Sequence, residues 1–448
     1  MHTHMSVTFL GTSSGGGPSE SRNCSSLVCD MLADQTLWSA IVVDCAEGTT
    51  RQFAMQPQFT KPFLRINKVS KIFVTHMHVD HIMGIVPLLR YVLFPPLDMN
   101  SGSSSSQPPP RTIEIFGPAG LRLFIRQIMK MTLTRTADKY VVHELLTPED
   151  SITPCELRPS NDQLTTLHTS EPNILHPSEL VGLDIRPSPD GFWRAITQAR
   201  GVLSPIVVDA GSILHRDPCI GYTFTEVQYP SRKLVILGDT YDPSAMIPLC
   251  TNPSPSLLVH EATDSHISKQ ADPTGKLSKR SAREVRDKAL KRGHSIPEMA
   301  GAFAKLVGAG DLVLNHIGGR FPAPRGHQDY GRHQIMRDIE HKASTAWGSG
   351  KHAKAAWDFL RVHVTIPPRD DAQVQTDPVE YTEAQAGPSE AGTPAPNTRT
   401  TNSHSNNNFN GRSNSNGYGR RNGTRPNKRT SDRSSESSAL NGDAKRRR

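Results

Sequence analysis

The chain has 448 residues, and its hydrophobic content of 35% and its 35 prolines predict that part of it does not fold. Six cysteines without a CxxC pair indicate reduced thiols, and no apolar run approaches the roughly 18 residues of a membrane span, so we expect a soluble protein. The net charge of +8 lies in residues 401–448, so a positive field for nucleic acid comes mainly from this tail.

Two early predicted strands end in polar segments. Residues 7–10 precede the glycine-rich segment GTSSGGGPSESRNCSS, which suits either an anion, through its backbone N–H groups, or a plain turn. Residues 41–43 form a buried strand that runs into Asp44. This carboxylate either accepts a hydrogen bond from a metal-bound histidine or caps the helix that begins near Thr50.

The most informative segment reads KIFVTHMHVDHIMGI and begins at Lys71. Its apolar beginning predicts a strand that leads into His76, His78, Asp80 and His81, whose side chains are ligands that zinc accepts. The first two histidines are two residues apart and point the same way, and the other pair lies past the strand end, where it can hold a second ion. A surface loop that happens to carry histidines is the alternative.

The rest of the chain alternates predicted helices and strands. We predict helices over residues 84–94, 121–133, 281–292, 296–307 and 329–347, and strands over 112–116, 139–146, 192–197, 206–209, 220–224, 233–237, 257–259, 312–314 and 356–366. Segments at about 97–111 and 147–190 lack periodicity and are predicted surface insertions. Residues 1–368 therefore form one α/β domain, and residues 369–448, acidic and then rich in Asn, Ser and Arg, form a disordered tail.

Several later strands end in side chains that bind metal or carry protons. His215, Asp239 and His316 each follow a predicted strand, Glu261 ends another, and His294 lies between two predicted helices. The repetition of an apolar strand that ends in a polar group suggests that one sheet edge carries the chemistry.

These side chains complete a set for two zinc ions, which need about three protein ligands each, a bridging carboxylate and an open position for water. We assign the first ion to His76, His78 and His215, the second to Asp80, His81 and His316, and the bridge to Asp239. Such a site activates water for attack on an ester. His294 lies outside the set, where it can protonate a departing oxygen.

The H-x-H-x-D-H segment resembles the signature of the metallo-β-lactamase superfamily. Further motifs occur in the order that resembles tRNase Z, the endonuclease that removes 3′ trailers from precursor tRNA: VDCAEGTTRQ, THMHVDHIMGI, ILHRDPCIGY, LGDT, VHEAT, GHS and LVLNHIGGRF. The short, ELAC-type form is the most similar, through IEIFGPAGLRLFI, YVVHEL, GHSIPEMAGAFAKL and AAWDFL. The resemblance covers roughly residues 5–366.

The resemblance implies a four-layer αβ/βα metallo-β-lactamase sandwich, two Zn²⁺ ions per site held by the seven ligands above, and precursor tRNA or other RNA as the substrate. It also implies that His294 is the general acid, that Asp80 doubles as the general base, and that His260 and Glu261 orient them. Members of this family are commonly dimeric, so the resemblance also predicts a homodimer.

Three departures from the family pattern stand out. Between Tyr222 and Asp239 the chain has only TFTEVQYPSRKLVILG, where most of the family inserts a long arm that grips the tRNA elbow. Ile296 and Gly318 stand where the family has hydroxyl side chains. None of these positions is a proposed metal ligand, so the zinc hydrolase prediction does not depend on them.

The functional hypothesis is a zinc-dependent endoribonuclease that removes 3′ trailers from precursor tRNA. The alternatives are a zinc phosphodiesterase for small or cyclic phosphodiesters and an RNA-binding protein with little activity. In the tail, Lys428-Arg429, a spacer of fifteen residues and then four basic residues at 445–448 match a bipartite nuclear localisation signal. A solvated basic tail of a cytoplasmic protein is the alternative, and the tail also suits RNA phosphates.

Overall fold

The computed structural model describes residues 5–31, 40–94, 111–157, 171–201, 204–229 and 231–365. Its strands are β1 Met5–Gly11, β2 Ser13–Ser14, β3 Ser26–Asp30, β4 Ala40–Cys45, β5 Val69–Phe73, β6 Thr112–Pro118, β7 Lys139–Leu145, β8 Glu179–Leu180, β9 Asp184–Ile185, β10 Trp193–Ala199, β11 Ile206–Ile213, β12 Cys219–Glu226, β13 Lys233–Leu237, β14 Leu257–Glu261, β15 Asp311–Asn315, β16 Ile317–Gly318, β17 Lys354–Ala355 and β18 Arg361–Val364. Its helices are α1 Thr49–Ala54, α2 Val79–Ile82, α3 Ile85–Val92, α4 Leu121–Met131, α5 Ile247–Cys250, α6 Ala282–Lys291, α7 Pro297–Leu306 and α8 Tyr330–Trp347. The predicted tail and nearly all of the predicted insertion at 97–111 lie outside the described residues.

The strands form two mixed sheets. The first has nine strands in the order β18-β1-β3-β4-β5-β6-β7-β8, with β9 also paired to β7. The second has seven in the order β10-β11-β12-β13-β14-β15-β17. Each sheet combines antiparallel pairs, such as β1 with β3 and β11 with β12, with parallel pairs, such as β5 with β6 and β13 with β14. Strands β16 and β2 form a separate parallel pair.

The two sheets pack face to face around one apolar layer. Phe73 of β5 meets Phe224 of β12 edge to face, with ring centroids 5.3 Å apart. The Tyr222 hydroxyl donates a hydrogen bond of 2.7 Å to the carbonyl of Val74, so the layer also satisfies its polar atoms. Each large apolar side chain buried in this way contributes roughly 1.5–3 kcal/mol relative to leaving it exposed. Inter-sheet packing therefore fixes how β5 and β12 lie relative to each other.

Helices cover the outer faces of both sheets. Helices α1, α3 and α4 contribute buried side chains to the cluster on the first sheet, and α5, α7 and α8 contribute to the cluster on the second. The order of layers is therefore helix, sheet, sheet, helix, which confirms the predicted four-layer αβ/βα sandwich. Among the described residues, no helix combines the length and hydrophobicity needed to cross a bilayer.

The segment at 147–190 differs from the predicted surface insertion, because its described part belongs to the first sheet. Strands β8 and β9 both pair with β7. The buried Arg126 of α4 forms an ion pair with Glu179, with 2.9 Å between Nε and Oε2, and donates to the carbonyl of Pro154. Arg122 donates to the carbonyls of Thr153 and Leu183. Buried carbonyls need donors, so these arginines hold the irregular segment against α4.

The region after β5 contains two short helical elements. The predicted helix at 84–94 is α3, and the preceding turn α2, which carries the end of the histidine motif, is a separate element. The two are separated because Gly84 lies against β4, where its N–H donates to the carbonyl of Cys45 at 2.8 Å. A Cβ at this position would lie 1.9 Å from the carbonyl oxygen of Ala46. The close approach therefore needs glycine.

Strands β12 and β13 are joined by only six residues, 227–232, of which residue 230 lies outside the described ranges. At the base of this hairpin, Arg232 and Glu226 form a buried ion pair with 2.6 Å between Nη2 and Oε1. The hairpin occupies the place in the chain where most of the family carries its arm.

Replacing Gly301 of α7 with alanine tests the packing of α7 on α8. A Cβ at Gly301 would lie 2.0 Å from the carbonyl oxygen of Ala343, so the two helices must move apart. We expect Gly301→Ala to lower the free energy of unfolding by about 1–3 kcal/mol in urea denaturation. The matched control is Gly331→Ala in α8, where an added Cβ has no neighbour within 4 Å. Equal stability of the two variants would contradict the tight contact.

Candidate metal centre

The structure brings the seven predicted metal ligands together where loops from both sheets converge. They come from the segment after β5, from α2, and from the loops after β11, β13 and β15: His76, His78, Asp80, His81, His215, Asp239 and His316. The described side chains form two groups whose candidate ligand atoms lie within 4.8 Å of one another: His76, His78, His215 and Asp239, and Asp80, His81 and His316. This division is the one assigned from the sequence, and the ligand roles themselves stay predictions.

Asp239 lies between the two groups. Its Oδ2 is 3.6 Å from Nε2 of His76 and 3.6 Å from Nε2 of His81. Its Oδ1 is 3.2 Å from Nδ1 of His316, whose Nε2 is 3.4 Å from Oδ2 of Asp80. One carboxylate therefore faces both groups, which is the position that a bridging ligand requires.

The buried His81 and the partly buried His215 are each held by one ring nitrogen and leave the other without a partner. Nδ1 of His81 lies 2.7 Å from Oδ2 of Asp44, and Nδ1 of His215 lies 2.6 Å from the carbonyl oxygen of Gly293. Each acceptor holds a proton on Nδ1, so Nε2 is the nitrogen that is left to face a metal ion. Among the described residues, both Nε2 atoms are buried and lack a hydrogen-bond partner. These atoms fit a metal ion, which would satisfy them.

His76 and His78, the other two histidines of the motif, are also each held through one ring nitrogen. Nδ1 of His76 lies 3.0 Å from the hydroxyl of Thr75, which in turn donates to Asp44. His78 has the opposite orientation, with Nε2 2.7 Å from Oδ2 of Asp217. Nε2 of His76 and Nδ1 of His78 then face each other at 2.9 Å. Asp44 is therefore a partner of the ligands, as one of its two sequence interpretations has it, and it does not cap α1.

The charge states of four candidate ligands match those that metal ligands need. Burial lowers the pKa of His76 and of His215, which keeps both rings neutral at pH 7. Burial alone raises the pKa of Asp80 and of Asp239, but nearby histidines, His316 foremost, reverse this and lower both. Neutral imidazoles and ionised carboxylates are the forms that bind zinc.

His81 shows how much negative charge the site contains. Burial lowers the pKa of its ring, but the carboxylates of Asp44 and Asp239 outweigh burial and raise the pKa well above the usual value. The ring therefore holds a proton between two carboxylates. A metal cation facing Nε2 would supply this positive charge instead, so the donor set fits a cation.

The glycine-rich loop after β1 contacts this site through its backbone. The N–H groups of Gly15 and Gly16 lie 3.1 and 3.2 Å from Oδ2 of Asp80. The anion that this loop binds in the structure is therefore a carboxylate of the chain. These contacts hold the Asp80 carboxylate beside the neighbouring candidate ligands.

His294 stands beside the two groups and is paired with Glu261. Its Nδ1 lies 3.0 Å from Oε1 of Glu261, and Oε1 also accepts the N–H of Thr240 at 2.7 Å. Burial lowers the pKa of His294, but the Glu261 carboxylate outweighs this and raises the pKa to about 9. A ring that is protonated at neutral pH and held through Nδ1 can donate a proton from Nε2. Asp239, His294 and His316 are also close enough to hold an ion.

The orienting role implied for His260 does not fit its contacts. His260 is fully buried, its ring lies beside Phe303 of α7 with centroids 6.0 Å apart, and its Nδ1 contacts the backbone carbonyl of Glu261. Successive side chains of a strand point to opposite faces, so Glu261 faces the site and His260 faces the helix layer. Of these two neighbours, Glu261 is the one that holds His294.

Sequence reasoning missed three groups that hold the site. They are Asp217, which contacts His78, the carbonyl of Gly293, and Thr263, whose hydroxyl lies 2.5 Å from Oε2 of Glu261 and 2.9 Å from Nδ1 of His316. Asp217 and Thr263 each lie two residues after a residue that the sequence did single out. The carbonyl contact of Gly293 cannot be recognised in the sequence, because every residue has a backbone carbonyl.

Ile296 and Gly318, the two positions where the family has hydroxyl side chains, lie in tightly packed segments. Ser295 is buried and donates to the carbonyl of Thr240 at 2.7 Å, and Ile296 directly precedes α7. A Cβ at Gly318 would lie 2.6 Å from the carbonyl oxygen of Thr263. The backbone at Gly318 therefore has no room for the serine that the family pattern would place there.

A cleft of about 420 Å³ opens onto this site. Its lining includes Gly16, His78, Asp80, Arg216 and His294. The cleft joins candidate ligands from both groups to the paired His294, so a molecule bound there meets metal ligands and a proton donor together. An open cleft of this kind is where a polymeric substrate can reach buried groups.

Comparisons with known proteins agree with this geometry. Residues 39–95 match the model of the metallo-beta-lactamase superfamily. The zinc phosphodiesterase ELAC protein 1 of Bos taurus is 30% identical over 368 residues, which cover 71% of this chain and 87% of that protein. Ribonuclease Z of Bacillus velezensis is 27% identical over 372 residues, which cover 80% of this chain and 99% of that protein.

A solved structure is similar over the same region. The crystal structure of human tRNase Z, short form, has 28% sequence identity and a TM-score of 0.50, and the match covers 81% of this chain and all of that one. The similarity to the bovine protein extends over most of its length at an identity that establishes common descent. The chain belongs to the ELAC-type ribonuclease Z family of the metallo-β-lactamase superfamily.

Proposed function

We propose that the protein is a zinc-dependent endoribonuclease that removes 3′ trailers from precursor tRNA. The observation that carries this proposal is the convergence of the complete ligand set with the His294–Glu261 pair on one open cleft. The names of the relatives, zinc phosphodiesterase and ribonuclease Z, support phosphodiester hydrolysis of RNA over the two alternatives.

Zinc ions fit the two groups that Asp239 joins, as the unpartnered Nε2 atoms of His81 and His215 indicate. When bound, zinc lowers the pKa of water to about 7 and stabilises negative charge on a phosphate. Asp44, Asp217 and the carbonyl of Gly293 hold the histidine rings in the tautomers that leave the inward nitrogens free.

His294 completes the reaction at the other end of the scissile bond. The oxygen of water bonds to phosphorus while the proton of that water passes to the carboxylate of Asp80, the general base that the resemblance implies. The bond from phosphorus to the leaving ribose oxygen breaks, and Nε2 of His294 gives its proton to that oxygen. Glu261 holds the ring through Nδ1 and keeps it protonated at neutral pH. Proton donation of this kind contributes roughly 10²–10⁴-fold to the rate.

Two further properties stay proposals. Nuclear import through residues 428–448 is supported only by the basic sequence, and these residues lie outside the described part of the chain. Loss of nuclear accumulation from a fluorescent fusion that lacks 428–448 would support it, and unchanged localisation would contradict it. The homodimer is supported only by the common oligomeric state of the family. The molar mass from light scattering would distinguish a dimer, which supports the proposal, from a monomer, which contradicts it.

The central test is cleavage of a 3′-extended precursor tRNA by the purified, zinc-loaded full chain. We expect a cut just after the discriminator base, two zinc ions per chain, and loss of cleavage in a chelator that zinc addition reverses. Asp80→Ala removes one carboxylate from the second group, so it should bind less zinc and lose cleavage. Hydrolysis of bis(p-nitrophenyl) phosphate without any cut in the RNA would contradict the tRNA substrate, and inactivity on both would favour the RNA-binding alternative.

A second test separates proton donation from metal binding at His294. We expect His294→Ala to retain its zinc and to cleave RNA roughly 10²–10⁴-fold more slowly. Hydrolysis of bis(p-nitrophenyl) phosphate should change far less, because nitrophenolate leaves without a proton. Loss of zinc, with equal losses on both substrates, would instead make His294 a ligand.

The pH dependence of RNA cleavage provides a third test. Only protonated His294 can donate, so activity falls as pH rises through its pKa, which Glu261 raises. Glu261→Gln removes this charge, lowers the pKa and should shift the alkaline decline of kcat/KM to lower pH. The measurement is the pH profile at matched zinc content, and an unchanged alkaline limb would show that Glu261 does not control this proton.

A further inference from the structure

Positive charge on the folded part of the chain is concentrated around α6. Residues 276–292 contain eight Lys/Arg and two Asp/Glu, a net charge of +6. Residues 1–368 carry a net charge of +4, so those outside 276–292 carry a net charge of −2. A helix with this much positive charge on an otherwise nearly neutral body produces a local field that attracts anions.

Helix α6 points this charge at the candidate metal centre. Lys288 and Arg292, four residues apart and therefore on the same helix face, line a cavity of about 220 Å³. The lining of this cavity also includes Gly15, Thr263 and His294. Arg292 and His294 also line the metal-site cleft, so the two spaces adjoin.

The charges on α6 are available to a partner. Arg286, Lys288, Lys291 and Arg292 are exposed, and none of them forms an ion pair with the described residues. Arg283 pairs with Asp287 at 3.7 Å, but their side chains are 91% and 66% exposed. Pairs this exposed contribute little, so Arg283 can exchange its partner at small cost.

We propose that α6 is a docking surface for the RNA backbone, a proposal that rests on the proposed function. Lys288 and Arg292 hold phosphates beside His294, on the leaving-group side of the scissile phosphate, and Arg283, Arg286 and Lys291 hold phosphates further from the cleft. RNA fits better than an acidic protein because regularly spaced phosphates can follow the helix from the cleft outward. Such contacts position a nucleic acid without reading its sequence.

This surface lies in a chain with a short β12–β13 hairpin, which leaves the elbow of a tRNA without its usual contact. Phosphate contacts on α6 would hold the end of the RNA that enters the cleft. Lysine and arginine contacts of this type release counterions, so each duplex contact contributes about 0.9 to the salt slope of binding. Salt dependence is therefore the property that identifies the surface.

The experiment measures binding of a 3′-extended precursor tRNA by fluorescence anisotropy, in the full chain with Asp80→Ala to prevent cleavage. Two double variants test the surface: Lys288→Gln with Arg292→Gln, and Arg283→Gln with Arg286→Gln. The matched control is Lys305→Gln with Arg337→Gln, which removes two exposed charges from α7 and α8. The basic tail is present in every protein, so its contribution cancels.

We expect each α6 double variant to lower the salt slope by about 1.8, because each removes two side chains that bind phosphate. The ratio of its Kd to that of the parent should then be about 12-fold larger at about 50 mM than at about 200 mM salt. The control ratio should change little with salt. Slopes for both α6 variants that equal the control slope would overturn the proposal.

The two proposals fail in different ways. If the wild-type chain does not cut precursor tRNA, the proposed function fails, whatever α6 does. If the wild-type chain cuts it and the α6 variants bind as the control does, the docking surface fails and the function stands. Thermal unfolding of each variant identifies a folding defect, and the Arg283 and Arg286 variant, exposed and remote from the cleft, carries the test if the other is unstable.

Discussion

The site depends on hydrogen bonds that the candidate zinc ligands make on the side away from the metal. Asp44 holds His81 and, through Thr75, also His76, so one carboxylate orients two rings that belong to different metal groups. Asp44 itself has a φ of 54°, a left-handed backbone that costs on the order of 1–3 kcal/mol in a residue other than glycine. The fold tolerates this cost because parallel pairing within the first sheet holds β4 and β5 side by side, and the strained turn directs the carboxylate at both rings.

On the second sheet, too, one carboxylate holds several groups of the site. Glu261 accepts hydrogen bonds from Thr240 and Thr263 while it holds His294, so the loops after β13 and β14 share one carboxylate. His316 also has a left-handed backbone, with a φ of 52°. His76 and His81 after β5 of the first sheet, and His294 beside the second, are therefore positioned by different carboxylates, Asp44 and Glu261, and the packing of the two sheets brings them together.

Much of this arrangement could be predicted from sequence because strand ends carry local signals. The spacing of His76 and His78, and the apolar runs before Asp239 and His316, indicated the ligands and their grouping, and the family resemblance implied the four-layer sandwich. Asp44 could be suggested as a partner of the ligands, but Asp217 and the carbonyl of Gly293 could not, because they meet their histidines only through tertiary contacts. Strands β8 and β9 were missed because two-residue strands have no periodicity. Arg126 and Arg122 of α4 hold them through ion pairs with Glu179 and Asp184.

The short β12–β13 hairpin bears on what the protein can measure in a substrate. A contact at the tRNA elbow lets an enzyme count the distance from elbow to cleavage site, and so distinguishes a complete L-shaped tRNA from a fragment. With six residues between β12 and β13, the segment that would make the elbow contact is missing from this place in the chain. Recognition would then rest on the stem end itself, and an isolated acceptor helix with a 3′ extension would be an equivalent substrate to the whole molecule.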